Sequence, residues 1–343
     1  MLIKILYRVI FFIFICLNLC IIKNNICYAE KPVVIKFATV APDGSTWVKY
    51  MNQLAKNLDK KSDGLIKLRI YAGGIAGDEL DVLKKIRIGQ IHSAAFSGSG
   101  ITQILPIVRV LDLPFLFRNS SELEAVQKEL RAFFSEEYRK AGFEFLGWAE
   151  VGDVHLFSKK VINKRDDLSR LKVWTWTGDP VSKKTFAAMG NSPIVLSITD
   201  VTTALNTNMI DTVYGPPLGV LALQWYSYVK YMTALPIAHS TGAVLISSAF
   251  FNNIPDKLAT LVKEEFDHTM AELATELKKQ SQEAITLIQE SGVEIIPIPA
   301  QAELEDFYAV HDQVAQELIG EVYSKELLDR IYSILDELRS FAE

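Results

Sequence analysis

Two tryptophans, Trp174 and Trp176, stand two residues apart at the end of a segment that is predicted to be a strand, residues 171–176. Because side chains alternate across a strand, both indoles lie on one face. Such a face can bind a flat or apolar ligand, since an indole offers a large stacking surface and one N–H donor. The same side chains can equally pack in a core, and the spacing alone leaves both readings open.

Hydroxyl and aromatic side chains also end two further predicted strands. One short strand ends in Phe96 and continues into Ser97 and Ser99, whose hydroxyls and neighbouring backbone N–H groups could bind an anion or a polar head group. Another ends in Tyr214, which is followed by Pro216 in a turn. Ordinary turn chemistry accounts for the serines equally well, and Tyr214 could simply pack in its turn.

Three other residues are candidate ligand contacts with a competing structural explanation. Asp153 and His155 flank a predicted crossing between two halves of the chain, although a lone histidine more often has a structural role. Trp47 could line a cleft, but its helical spacing with Met51 and Leu54 fits packing in a core. We include all three in the candidate ligand site.

Motifs of known enzyme classes do not occur in the sequence. It has no His-Glu-x-x-His, no Gly-x-Ser-x-Gly, no Walker loop and no complete Gly-x-Gly-x-x-Gly. Its five histidines lack the spacing typical of metal ligands. We therefore expect no catalytic residue, no metal and no cofactor. Arg109 and Arg118 are expected at the protein surface or in a loop.

Strand and helix patterns alternate along the chain, which predicts an α/β fold with sheets flanked by helices. In open α/β sheets ligands bind beyond the carboxyl ends of strands, where the candidate residues above are found. The length of 343 residues favours two lobes. An amphipathic pattern over residues 257–290 predicts a helix longer than one small lobe is wide, and we expect it to brace both lobes.

The first 29 residues have the parts of a secretory signal peptide. Lys4 and Arg8 precede a short apolar run, and Ala29 ends the segment with a small residue. All three cysteines precede Ala29, so a chain cleaved there has no disulfide and no thiol. The alternative is an uncleaved N-terminal anchor. The net charge of −5 argues against a nucleic-acid partner, which requires a basic face.

Several segments, in this order, resemble those of the substrate-binding proteins of tripartite ATP-independent periplasmic (TRAP) transporters, the DctP-like family. These segments are residues 71–77, 112–117, 167–173, 189–193 and 230–233. The resemblance implies a two-lobed, type II-like periplasmic-binding-protein fold with mixed sheets. It also implies a periplasmic receptor that closes on one small molecule and delivers it to a TRAP membrane permease driven by an ion gradient. Most relatives bind organic acids.

One position departs from the family pattern. The family usually places an arginine directly after the segment matched by residues 171–173, where it forms a two-pronged salt bridge with a ligand carboxylate; here that position is Trp174. By this alignment we expect Trp174 to contact the ligand. An organic acid with an aromatic or apolar body is the expected ligand, and a neutral or differently anchored metabolite is the next choice. Replacing Trp174 by alanine should weaken binding at least tenfold with little unfolding.

The resemblance also suggests how the chain is divided. Lobe I is expected to comprise residues 30–153 and about 241–283, and lobe II residues 154–240 and about 284–343, with the ligand cleft between them. We expect a monomer. Two rival functions remain open: a periplasmic module that reports its ligand to a membrane sensor, and a secreted enzyme built on the same scaffold.

Overall fold

Alternating strands and helices build the chain in this computed structural model, which describes Tyr7 and residues 31–340. The predicted signal peptide, residues 1–29, lies outside the described residues apart from Tyr7. The strands and helices follow in the order β1 (Val33–Ala38), α1 (Thr46–Lys61), β2 (Ile66–Tyr71), α2 (Glu79–Arg87), β3 (Ser93–Phe96), α3 (Gly98–Ile104), α4 (Ser120–Lys140), β4 (Phe143–Ser158), β5 (Trp174–Trp176), α5 (Pro180–Ala188), β6 (Ile194–Leu196), α6 (Val201–Asn206), β7 (Thr212–Gly215), α7 (Pro217–Ala222), β8 (Tyr231–Thr233), β9 (Ala238–Ser247), α8 (Ser248–Phe251), α9 (Asp256–Glu290), β10 (Glu294–Ile296), α10 (Gln301–Leu318) and α11 (Lys325–Ser340).

The main sheet is mixed. Its strands follow the order β10-β8-β4-β9-β3-β1-β2, and β7 pairs with β4 beside this path. Strands β1, β2 and β3 are mutually parallel where they pair, whereas β9 runs antiparallel to both β3 and β4. Strands β5 and β6 form a separate parallel pair. Helices cover these sheets, so the predicted α/β class with mixed sheets flanked by helices is confirmed.

Strand β4 is much longer than the sequence pattern suggests, because it runs on past Trp148 to Ser158. Its register against β9 shifts at two places, and Gly152, with φ of 102°, follows the second shift. A bulge of this kind bends and twists a strand without ending it. The strand thereby leaves β9, and its last residues pair with β7 and β8. One strand therefore connects the two ends of the sheet.

Helix α9 spans 35 residues, Asp256–Glu290. At 1.5 Å per residue it is about 50 Å long. Its first half packs Val262, Phe266 and Met270 against a core formed with β1 and α1. Near its end, Ile288 belongs to a different core, which contains Trp174 and Trp225. The helix therefore braces two separate cores, as its length predicted.

The last two helices also touch different parts of the molecule. Helix α10 packs on α5, and α11 packs on α4. Arg339 of α11 donates to Glu122 of α4 at 2.8 Å. The expected division places residues 284–343 in lobe II and α4 in lobe I, so α11 crosses between the two. Among residues 31–340, no helix is both long enough and apolar enough to cross a membrane.

Candidate functional site

A cavity of about 510 Å³ lies where the ends of several strands meet. The residues just after β1 and β3, the strand β5 and the end of β7 line it, and α9 covers one side. This is the location that the rule for open α/β sheets predicts. The glycine turn after β2 contributes no lining residue among those described. A volume of this size is typical of a site for a small organic molecule.

Aromatic side chains form one wall of this cavity. The Trp174 ring stacks on Tyr214 with centroids 5.1 Å apart and meets Trp225 edge-on at 5.4 Å. Trp176 lies beside Trp174 at 6.1 Å. The structure thus brings Trp174, Trp176 and Tyr214 together as expected. Trp225 lines the cavity too. Contact of these rings with a ligand stays a prediction.

Trp174 is also part of the protein core, because only 2% of its surface is exposed. Its indole N–H donates to the Leu196 carbonyl at 3.1 Å. The sequence left two interpretations open, packing in a core and lining a ligand site. In the structure the Trp174 ring is buried in the core and also forms part of the cavity wall.

Trp176 joins two distant parts of the chain. Its indole N–H donates to the Asp78 carboxylate at 3.0 Å, and Asp78 caps the start of α2 by accepting from the backbone N–H of Glu79. The Ser197 hydroxyl donates to the same carboxylate at 2.5 Å, and the backbone N–H of Ile198 donates at 3.3 Å. Asp78 therefore holds the β5–β6 side of the cavity against the β1–β3 side.

The expected anion-binding role of Ser97 and Ser99 is not what their contacts show. The Ser97 backbone N–H and hydroxyl both donate to Glu79 at 2.8 Å, and the Gly100 N–H donates to the other Glu79 oxygen at 2.7 Å. The Ser99 hydroxyl points to the same carboxylate at 3.4 Å, is fully buried and does not line the cavity. A carboxylate of the protein itself thus occupies the start of α3.

Burial dominates the titration of Glu79. It raises the pKa of this carboxyl from 4.5 to about 7, against the hydrogen bonds from Gly100 and Ser97 that favour the ionised form. The neighbouring charge of Asp78 raises the pKa further. Near neutral pH this group therefore changes charge inside the protein.

Arg109 was expected at the surface or in a loop, and that expectation is wrong. Its side chain is buried, forms an ion pair with Asp112 and donates to Asp179 at 2.8 Å. Burial raises the pKa of Asp112 to about 6, although the Arg109 charge opposes this shift. A short 3-10 helix, Pro106–Asp112, places Arg109 and Asp112 three residues apart on one side. Asp179 approaches from the start of α5.

Asp179 has two oxygens with different surroundings. Oδ1 accepts from Arg109 and from the backbone N–H groups of Val181 and Ser182, which caps α5. Oδ2 has no hydrogen-bond partner among the described residues. It lies 3.1 Å from the position that a Cβ would take at Gly98, and both residues line the cavity. Only 6% of Asp179 is exposed, and the side chain lies at the edge of the cavity.

The remaining expected site residues divide into two groups. Trp47, Phe96 and Pro216 line the cavity, whereas Asp153 and His155 do not. Asp153 pairs with His239 at 2.5 Å. Burial raises the pKa of Asp153, but the hydrogen bond and charge of His239 outweigh it, so the net pKa is lowered. His155 Nδ1 lies 2.9 Å from the Thr233 carbonyl oxygen, away from the cavity.

The lining is rich in carboxylates. Arg109 is the single cation among the described lining residues, and the four lining carboxylates are Glu79, Asp112, Asp179 and Glu283. Within the described part of the chain, no group of three or more His, Asp, Glu or Cys residues is arranged to hold a metal ion. The site therefore combines apolar and aromatic walls with a polar end that carries more negative than positive groups.

Comparison with known proteins places this architecture among solute-binding proteins. A family model described as bacterial extracellular solute-binding protein, family 7, matches residues 37–321. A solute-binding protein of Verminephrobacter eiseniae is 27% identical over 212 residues, a match that covers 60% of this chain and 62% of the relative. The 2,3-diketo-L-gulonate-binding periplasmic protein of Escherichia coli is 25% identical over 248 residues, covering 70% of this chain and 73% of that protein.

Solved structures show the same fold. A TRAP periplasmic solute-binding protein from Citrobacter koseri, solved with bound D-glucuronate, superimposes with a TM-score of 0.80 at 23% identity. The match covers 88% of this chain and 99% of that one.

Proposed function

Because the chain belongs to family 7 of the bacterial extracellular solute-binding proteins, we propose that it is a periplasmic receptor for one small organic solute. The family confirms the resemblance to TRAP substrate-binding proteins and the two-lobed fold that this resemblance implied. It also confirms the expectation of a binding protein in place of an enzyme. The matched residues, 37–321, include every residue that lines the cavity.

The observation that carries the proposal is the cavity itself, across which side-chain hydrogen bonds join its two sides. Asp78 is bonded across it to Trp176, and Arg109 across it to Asp179. Both pairs are broken if the two sides move apart. A ligand that contacts both sides favours the closed arrangement, since it binds that state better than the open one.

We propose the lobe division given by the sequence, with one addition. Lobe I comprises residues 30–153 and about 241–283, and lobe II comprises residues 154–240 and about 284–343. The packing of α11 on α4 and the hydrogen bond from Arg339 to Glu122 add a second contact between the lobes, far from the cavity in sequence.

The proposed ligand is a small organic acid with an aromatic or apolar body. The names of two relatives report 2,3-diketo-L-gulonate and D-glucuronate, both sugar acids. In this chain the rings of Trp174, Trp176 and Tyr214 provide flat apolar surface. Such a surface favours a less polar body than a sugar chain, because burying hydroxyl groups without partners is costly.

The proposed partner is the membrane permease of a TRAP transporter, and the proposed compartment is the periplasm, reached through the signal peptide of residues 1–29. We propose that the receptor acts as a monomer. In this arrangement the closed form presents a joined surface of both lobes to the permease, and the open form does not.

Native mass spectrometry of gently purified protein, followed by identification of any released compound, tests the proposal directly. We expect one small organic molecule per chain. The protein is then unfolded and refolded to remove any retained compound. The refolded protein is titrated with organic acids, amines and zwitterions in a thermal-shift assay. A rise in Tm with at least one compound supports the proposal. No bound compound and no rise in Tm with any of them would contradict it.

A further inference from the structure

The polar end of the cavity contains one acceptor that the protein leaves unused. Asp78, Glu79 and Asp112 each accept hydrogen bonds at both carboxylate oxygens from described residues. Asp179 accepts three bonds at Oδ1 and none at Oδ2. Because Asp179 lines the cavity, a donor carried by the occupant can reach this oxygen.

The charges around this oxygen favour a positive donor. Arg109 is surrounded by two buried carboxylates, Asp112 and Asp179, so these three groups together carry an excess negative charge. Glu79 lines the same end of the cavity, and no lysine or histidine is among the described lining residues. An uncompensated charge in a buried place is unfavourable, and a cation bound beside Asp179 would offset it.

Two groups that could have bound an anion are already engaged, whereas Arg109 Nε and the Tyr214 hydroxyl are buried without a partner among the described residues. Glu79 occupies the start of α3 through Ser97 and Gly100. The two terminal nitrogens of Arg109 are bonded to Asp112 and Asp179. A ligand carboxylate at this end would meet the like charges of Asp112 and Asp179.

Resting on the proposed function, we infer that the ligand carries a positively charged nitrogen whose N–H groups donate to Asp179 Oδ2. The apolar body of the ligand lies against Trp174 and Trp176, whose ring faces also attract a cation. An acid qualifies if it is a zwitterion, with its carboxylate directed away from Asp179. Asp179 is then the residue that selects the charge of the ligand.

Gly98 is part of this arrangement, since it leaves Oδ2 uncovered. A Cβ at residue 98 would lie 3.1 Å from Oδ2 and 3.7 Å from the Trp176 ring. An alanine there would occupy the place where a donor has to approach, while every charge is kept. Gly98→Ala therefore tests the position of the nitrogen separately from its charge.

The experiment uses solutes that share one ring system and differ in the charged groups of a short side chain. Tryptamine, tryptophan and indole-3-acetate form the first such set, and phenethylamine, phenylalanine and phenylacetate the second; any compound released from the purified protein is added. Each is titrated by calorimetry against the wild type, Asp179→Asn, Gly98→Ala and the control Asp81→Asn. Asp81 lies on α2, is exposed and does not line the cavity.

We expect the bound solutes to be amines or zwitterions, with affinity at least tenfold lower in Asp179→Asn and in Gly98→Ala, and unchanged in Asp81→Asn. Asparagine caps a helix as well as aspartate does, so α5 should keep its start, and circular dichroism checks this. Binding of acids only, or equal affinity in Asp179→Asn, would overturn the inference and keep the receptor. Absence of binding by every solute, with no compound released, would instead contradict the proposed function.

Discussion

Trp176 donates its indole N–H to Asp78 at 3.0 Å, although the two residues are 98 positions apart. The bond joins the start of α2 to the β5–β6 pair on the other side of the cavity. Ser197 donates to the same carboxylate. Because Asp78 also caps α2, its position is fixed before the two sides meet. It therefore acts as a rigid acceptor on which the opposite side closes.

Replacing Trp176 by phenylalanine should favour the open form. The change removes the N–H donor and keeps most of the ring, and a hydrogen bond to a charged acceptor contributes about 1.5–3 kcal/mol. We expect ligand affinity to fall about tenfold or more, since closure then costs more. Small-angle X-ray scattering of the ligand-free protein should show a larger radius of gyration than the wild type.

Trp225→Phe is the matched control for this change. Trp225 also lines the cavity, but its N–H donates to Thr202 of α6, the helix whose Val201 packs in the same core as Trp225. Its replacement should leave the radius of gyration unchanged. Equal expansion in both variants would show that the loss of an indole, and not the bond to Asp78, is responsible.

Replacing Trp174 by alanine should destabilise the protein, contrary to the expectation of little unfolding. With only 2% of its surface exposed, the side chain would leave a large void, and such changes cost about 3–5 kcal/mol. Urea unfolding measures the loss. Trp174→Phe keeps most of the packing and is the better variant for a binding titration. Near-wild-type stability of the alanine variant would contradict the packing described for this ring.

Replacing Arg109 by methionine should cost about 3–5 kcal/mol, because it leaves Asp112 and Asp179 buried without their cation. Adding Asp112→Asn removes one of the two uncompensated charges. We therefore expect the double variant to be more stable than the sum of the single losses predicts. Urea unfolding of the wild type, the two single variants and the double variant gives the coupling free energy between Arg109 and Asp112. If the losses of stability in the two single variants simply add up in the double variant, Arg109 and Asp112 do not interact as their geometry indicates.

Glu79 should make stability depend on pH near neutrality. Burial raises its pKa from 4.5 to about 7, so between these values the folded protein holds a proton that the unfolded chain releases. The free energy of unfolding therefore falls as pH rises from about 4.5 to 7, by up to about 3 kcal/mol for this group.

Glu79→Gln isolates this effect, because glutamine does not titrate. The variant also loses one of the two oxygens that accept from Ser97 and Gly100, and this adds a constant loss of stability. We expect the stability of the wild type relative to the variant to decline between pH 4.5 and 7. Urea unfolding at several pH values measures it. A difference independent of pH would show that Glu79 stays ionised throughout.

Periodicity predicted the elements that carry their own pattern. The helix near residues 257–290 occurs almost as expected, because it contains enough regularly spaced apolar residues to define its period. The extension of β4 beyond Trp148 was missed. Its later residues pair with strands from residues 212–215 and 231–233, and a pairing of that separation leaves no local signal.

The candidate site shows the same limit. Its aromatic members were found because they end predicted strands. Arg109 and Glu79 were missed as parts of the cavity, since their roles depend on Asp179 and Ser97, which are 70 and 18 positions away. Two local signals were present: the three-residue spacing of Arg109 and Asp112, and an aspartate directly before Pro180. Neither reveals which distant group completes the contact.

The position of Glu79 has a further consequence for which solutes can enter. The Glu79 side chain is attached to α2 and accepts hydrogen bonds at the start of α3, so it competes there with any anion from solution. A short tether gives such a group an effective concentration of millimolar or more, roughly, whatever the concentration of free solute outside. A free anion at micromolar levels cannot displace it. A solute carboxylate therefore has to bind elsewhere in the cavity than at the start of α3.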